Sequence, residues 1–186
     1  MRLSRKVKVV AALGTLSGAV WASTYATFSD SATSTSTFTA GSVDLTVNAE
    51  ADDDYAFTSL ESSNLKPGDV KYAPLTVANV GTLAYGYTMS SSSTNADSKA
   101  LRDTLRLGAK LVANAAACDS AGVGYLASLT TVMAEGAISS AAISSRSVAS
   151  GSSEVLCFKV ELPSSAGDAL QSATTTTTMT FTATQS

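Results

Sequence analysis

Alternation of apolar and polar residues with a period of two recurs along this 186-residue chain, and it constrains the fold more than any other feature of the sequence. Val43, Leu45 and Val47 alternate with Asp44, Thr46 and Asn48, and Leu83, Tyr85, Tyr87 and Met89 alternate with Ala84, Gly86 and Thr88. The same beat runs through Leu105 to Leu111, Leu156 to Leu162, and Met179, Phe181 and Ala183 near the end. Successive side chains of an extended strand point to opposite faces, so each run can bury one face and leave the other in water. Turn chemistry separates the runs at Asn64-Leu65-Lys66-Pro67-Gly68-Asp69, Asn79-Val80-Gly81 and Ala149-Ser150-Gly151-Ser152. Ser98–Asp103, Leu126–Ala134 and Gly167–Gln171 lack the alternation and are expected as short connecting helices. Thr174 to Thr178 suits a half-exposed strand; low-complexity linker is the alternative, and Met179 and Phe181 favour the strand. Many short strands with little helix predict an all-β fold, a two-sheet antiparallel, jelly-roll-like sandwich.

The first 26 residues follow different chemistry. Arg2, Arg5, Lys6 and Lys8 form a basic head, Val9 to Ala22 is apolar or small, and Thr24-Tyr25-Ala26 offers small residues at cleavage spacing. Basic, apolar and small-residue regions in that order make a secretory signal peptide. A spanning helix needs about 20 apolar residues, and this run is shorter and interrupted by glycine. Cleavage between Ala26 and Thr27 is expected, with a competing site after Ala22, and no membrane attachment afterwards. The chain then divides into a signal peptide (1–26), an extended segment (27–39) and a sandwich domain (40–186).

Removing the signal changes the electrostatics. The whole chain carries 12 Lys and Arg against 15 Asp and Glu. The signal holds four of the bases and none of the acids, which leaves eight against fifteen, a net charge of −7. Nucleic acid is excluded as a partner, because counterion release needs clustered Lys and Arg. Copies of so acidic a protein also repel one another unless a specific contact overcomes the repulsion.

The sequence argues against an enzyme. It contains no histidine, which removes the usual base of Ser-His-Asp and Cys-His machinery and the imidazole ligands of catalytic zinc. No cofactor-binding loop is present, and no pair of carboxylates stands out from the scatter of surface acids. Asp52-Asp53-Asp54 is the one visible cation candidate, but three consecutive carboxylates point in different directions, and a solvated loop tip is the simpler expectation. Leu162-Pro163-Ser164-Ser165-Ala166 superficially resembles a sortase signal but lacks its Thr-Gly and any apolar tail. Cys118 and Cys157, an even pair in an exported chain, are expected to form a disulfide, with two separate buried thiols as the alternative.

Thr24-Tyr25-Ala26, Thr27-Phe28-Ser29-Asp30, and Thr37-Phe38-Thr39-Ala40-Gly41-Ser42-Val43-Asp44-Leu45 together resemble the TasA/camelysin family. Asn64 to Asp69 and Leu75 to Leu83 are similar to that family's turn and next strand. The resemblance implies export, trimming by a SipW-type signal peptidase, and assembly of a jelly-roll domain into extracellular fibres of a biofilm matrix. It also implies that the freed N-terminal segment adds as a strand to a neighbouring copy, with Thr27, Phe28, Asp30 and Phe38 in the assembly segment. The partners expected are the chain itself, the signal peptidase and other matrix components. A non-polymerising surface protein of the same fold is the second expectation and a metallopeptidase the third.

Overall fold

The computed structural model describes residues 36–37, 39–50, 55–118, 125 and 129–185. Two compact units divide the chain, Met1–Thr39 and Ala40–Ser186. The expected signal peptide and its Ala26–Thr27 junction, Phe28, Asp30, Phe38 and Asp52–Asp54 lie outside the described residues.

Among the described residues, eight strands build the second unit: β1 (Leu45–Val47), β2 (Val70–Asn79), β3 (Tyr85–Ser93), β4 (Arg106–Val112), β5 (Thr131–Ala137), β6 (Ala142–Val148), β7 (Ser153–Glu161) and β8 (Thr177–Gln185). They form two antiparallel sheets, one ordered β1-β2-β7-β4-β5 and the other β6-β3-β8. Only the β1–β2 and β4–β5 connections stay within a sheet. Every other consecutive pair crosses between sheets, so the sandwich is stitched together by its corners. The expected all-β sandwich is the observed fold.

Period-two patterning explains the core. Leu156 and Phe158 on β7, Leu75 and Val77 on β2, Leu107 on β4, and Tyr85 and Tyr87 on β3 are at most 1% exposed and share one cluster between the sheets. Burial of each such side chain contributes about 1.5–3 kcal/mol. Among the described residues, Asn79 is the one buried polar side chain. Its amide donates to the carbonyls of Leu83 (2.8 Å) and Val148 (3.0 Å) and accepts from the Gly81 N–H (3.0 Å). One side chain thereby fixes the β2–β3 corner against the end of β6.

One local expectation is corrected. The helix expected over Leu126–Ala134 is not formed in its described part, where Thr131–Ala137 is strand β5. Thr130, Thr131 and Val132 are β-branched and suit a pleated surface, and the edge of β4 supplies their hydrogen bonds. Strand β6 carries no alternation in its sequence because its pairing with β3 shifts register between Tyr87 and Met89. That irregularity lets Ile143 and Val148, five residues apart, both face inward. The other two expected helices are shorter than their windows: a four-residue helix, α1 (Leu101–Thr104), and a 3-10 turn at Asp168–Leu170.

Candidate functional site: an open sheet edge beside a cleft

Among the described residues, β1, β5, β6 and β8 stand at sheet edges. A long, flat edge without charge is a template for another strand, and folded proteins usually guard such edges by shortness, charge or bulges. Three of the four are guarded. β1 has three residues. β5 pairs with β4 through two register shifts and carries Glu135, which is bonded to Lys159. β6 has its irregularity and Arg146. β8 has none of these devices. It pairs with β3 in unbroken register from Ser93↔Thr177 to Tyr85↔Gln185 and contains neither proline nor a charged residue.

The inward side of β8 is unfinished. Met179, Phe181 and Ala183 face the core but are only half-buried. Opposite them a cleft of about 780 Å³ is lined by Leu45, Val47, Tyr55 and Phe57, by the carboxylates Glu50 and Glu61, and by the first half of β8. A neighbouring cavity of about 900 Å³, with Leu60, Leu65, Leu105 and Leu170 in its walls, shares Phe57 and Met179 with it. The floor is rigid. Phe57 stands edge-on to Phe158 at 5.8 Å, and Phe181 lies 6.0 Å from Tyr87.

The cleft exists because β1 stops early. Asn48 and Ala49 adopt left-handed conformations (φ 51° and 63°), and the Glu50 N–H returns to the Val47 carbonyl at 3.1 Å. Two successive positive φ angles make the tight hairpin turn that reverses a strand. Asn48 tolerates this conformation and is locked there: its Oδ1 accepts from the Thr76 N–H at 2.7 Å. Among the described residues β2 is consequently an edge below Val77, where Pro74 is tolerated within the strand.

The entry of the chain into the domain is also fixed. The Ser42 carbonyl accepts from the N–H groups of Thr82 (2.9 Å) and Leu83 (3.0 Å), and the Ser42 N–H donates to Thr82 Oγ1 at 2.8 Å. Gly81 permits this approach, since a Cβ there would lie 2.5 Å from the Ser42 carbonyl oxygen. This corner adjoins the start of β3, which pairs with the last residues of β8. Ala40 therefore joins the domain at the end of the sandwich where β8 finishes.

Of the site residues expected from sequence, Cys118 and Cys157 are brought together. They form a disulfide with Cα atoms 5.2 Å apart. Cys157 lies on the outward face of β7, opposite Leu156 and Phe158, as its place in the alternation predicts. It packs there with Val112, Tyr72, Tyr125 and Leu129 in a second small cluster. Tyr125 sits between Lys110 and Lys159, whose Nζ atoms are 5.0 and 5.6 Å from its ring centre. Burial, with a contribution from the Glu135 charge, pushes its phenol up to about 12. Tyr125 and Leu129 thus pack beside the disulfide on the outer face of the larger sheet, away from β8. Leu162 is 4% exposed and ends β7's inward row, and Ala166 N–H closes a turn onto the Pro163 carbonyl. The Leu-Pro-Ser-Ser motif is a strand end and a turn.

Residues 2–114 match the family model described as camelysin metallo-endopeptidase. The chain belongs to the camelysin family. No curated protein matches the chain. Camelysin-family proteins are exported, and a disulfide suits an extracellular one. The metal that the family description implies does not fit the described residues. The sequence has no histidine, and both cysteine sulfurs are committed to each other. Among the described residues no three Cys, Asp or Glu side chains cluster closely enough to hold an ion. What sequence reasoning missed is the β8 edge. Its signal was visible as nine residues of strand without one charge, but only the sheet order shows that no strand lies beyond it among the described residues.

Proposed function

We propose that this camelysin-family protein is a secreted structural subunit that assembles head to tail into extracellular fibres of a biofilm matrix. In this reading residues 27–39 of one copy add as a strand to β8 of the next. The observation that carries it is the unguarded edge of β8 standing over a cleft into which Phe57, Met179 and Phe181 open. Strand addition to such an edge supplies main-chain hydrogen bonds for affinity and pockets for alternate side chains.

The segment's own pattern fits that place. Every odd position from Thr27 to Thr39 is Ser or Thr, whereas the even positions read Phe28, Asp30, Ala32, Ser34, Ser36 and Phe38. β8 has the same two-faced character, with Thr178, Thr180, Thr182 and Thr184 outward and Met179, Phe181 and Ala183 inward. Beside β8, the segment would continue the hydroxyl face and turn both phenylalanines to the inward side, one of them at the end of β8 where the cleft lies. Ten residues of strand separate Phe28 from Phe38, roughly 33 Å, close to the roughly 30 Å length of β8. Each phenylalanine would contribute about 2 kcal/mol on burial. Signal cleavage by a SipW-type peptidase frees the segment only at export, which keeps the precursor from polymerising inside the cell. Addition that does not close on itself gives filaments, to which other matrix components can attach.

Electron microscopy of the mature protein, beside a form starting at Ala40, tests the reading. Filaments are expected from the first and none from the second, with both folded. Equal polymerisation of the shortened form removes strand addition as the mechanism. Proteolysis assays with and without a chelator address the peptidase reading, for which no activity is expected.

A further inference from the structure

The outward face of the three-stranded sheet differs from the rest of the surface. Thr178, Thr180, Thr182 and Thr184 of β8 lie beside Ser92, Ser90 and Thr88 of β3, and all seven are exposed. The single charged residue in β3, β6 and β8 is Arg146, and its guanidinium is bonded to Glu154. The other sheet's outer face, by contrast, carries Lys110, Lys159, Glu135 and Glu161 around Tyr125.

We propose that this hydroxyl face is a lateral contact between copies of the chain, joining filaments side by side; the proposal rests on the strand-addition reading above. Three physical points select a second copy as the occupant. The mature chain carries eight bases against fifteen acids, so copies repel, and this face lets two of them meet without bringing like charges together or stripping water from an ion. A hydroxyl both donates and accepts, so a face of hydroxyls is complementary to itself, as a contact between identical surfaces requires. Threonine is stiff about χ1 and loses little freedom when it is covered.

The size of the face sets when the contact acts. Three strands of this length present roughly 400 Å², against the roughly 800 Å² per partner of a stable specific interface. Single copies therefore stay apart. Along a filament the same contact repeats, and the added strand widens each face by another hydroxyl row. Summed contacts then hold filaments together without any single strong one.

The test uses the mature chain with Thr88→Asp and Ser90→Asp together. Both positions are on the middle strand, away from the β8 edge and the cleft. Low-speed pelleting reads bundles, high-speed pelleting reads total filament, and microscopy reads width. The unsubstituted chain and a Thr88→Ser variant are expected to form bundles, and the double variant single filaments in undiminished total amount. Bundling by the double variant equal to the unsubstituted chain, or single filaments from the unsubstituted chain at every concentration, overturns the lateral contact while leaving strand addition standing. Absence of filaments from the unsubstituted chain overturns strand addition and the lateral contact together.

Discussion

Glu154, on the β7 strand of one sheet, accepts a 2.5 Å hydrogen bond from the phenol of Tyr87 on the β3 strand of the other, and Arg146 of β6 holds the same carboxylate. Three strands from two sheets thus meet at one carboxylate. Burial by itself pushes Glu154 up, but the bonds from Arg146 and Tyr87 outweigh it and hold the group below its ordinary 4.5. A depressed carboxyl contributes stability that is present above its unfolded value and lost as pH falls through the folded one. Melting temperature should therefore hold near neutral pH and fall as pH drops below about 4.5. Glu154→Gln should cost about 2 kcal/mol at pH 7 and flatten that acid limb. An unchanged acid limb in the variant would show that other carboxylates carry it.

The strands with a regular beat were legible in the sequence because one face of each is buried and nothing interrupts the register. Leu156, Phe158 and Val160 on β7 and Tyr85, Tyr87 and Met89 on β3 are of this kind. β6 was not legible, because an irregularity shifts the phase between Ile143 and Val148, and a beat that changes phase reads as no beat. The cleft could not be read either. It depends on which strand lies beside which, and residues far apart in sequence, such as Val47 and Met179, line it together.

The disulfide is expected to stabilise without being needed for the fold. Cys118 and Cys157 lie in the smaller cluster outside the larger sheet, apart from the core between the sheets. Closing a loop 39 residues long is worth at most about 4 kcal/mol by chain entropy. Cys118→Ala with Cys157→Ala should lower the unfolding free energy in urea by about 2–4 kcal/mol and keep the β spectrum of the sandwich. Loss of that spectrum would mean that the outer cluster is required for folding.

Gly81 and Gly167 offer a matched pair. A Cβ on Gly81 would sit 2.5 Å from the Ser42 carbonyl oxygen and 2.7 Å from the Asp44 nitrogen, both backbone atoms, whereas nothing lies within 4 Å of one on Gly167. Gly81→Ala should destabilise by about 2 kcal/mol or more, as forced shifts in packed structure do. Gly167→Ala should be near neutral. Equal melting temperatures for the two variants would show that the segment Gly41–Asp44 is not held against the β2–β3 corner in solution.

Met179→Lys separates assembly from folding. Met179 is half-buried at the junction of the two cavities, on the inward face of the β8 edge. An inward-pointing charge on an edge strand is a device by which natural sheets refuse further strands. A lysine there can extend through the open cleft and keep its ammonium in water while the cleft is empty, so the cost to the monomer should be about 1 kcal/mol. An added strand would close over that ammonium and strip it of water, a cost of several kcal/mol that the cleft-wall carboxylates Glu50 and Glu61 offset only in part. The variant should therefore melt within a few degrees of the parent and form no filaments. Phe28→Asp in the adding segment should weaken assembly in the same way from the other partner. Filaments from Met179→Lys with the parent's yield would place the addition at some edge other than β8, and a collapse in melting temperature would show that Met179 serves the core.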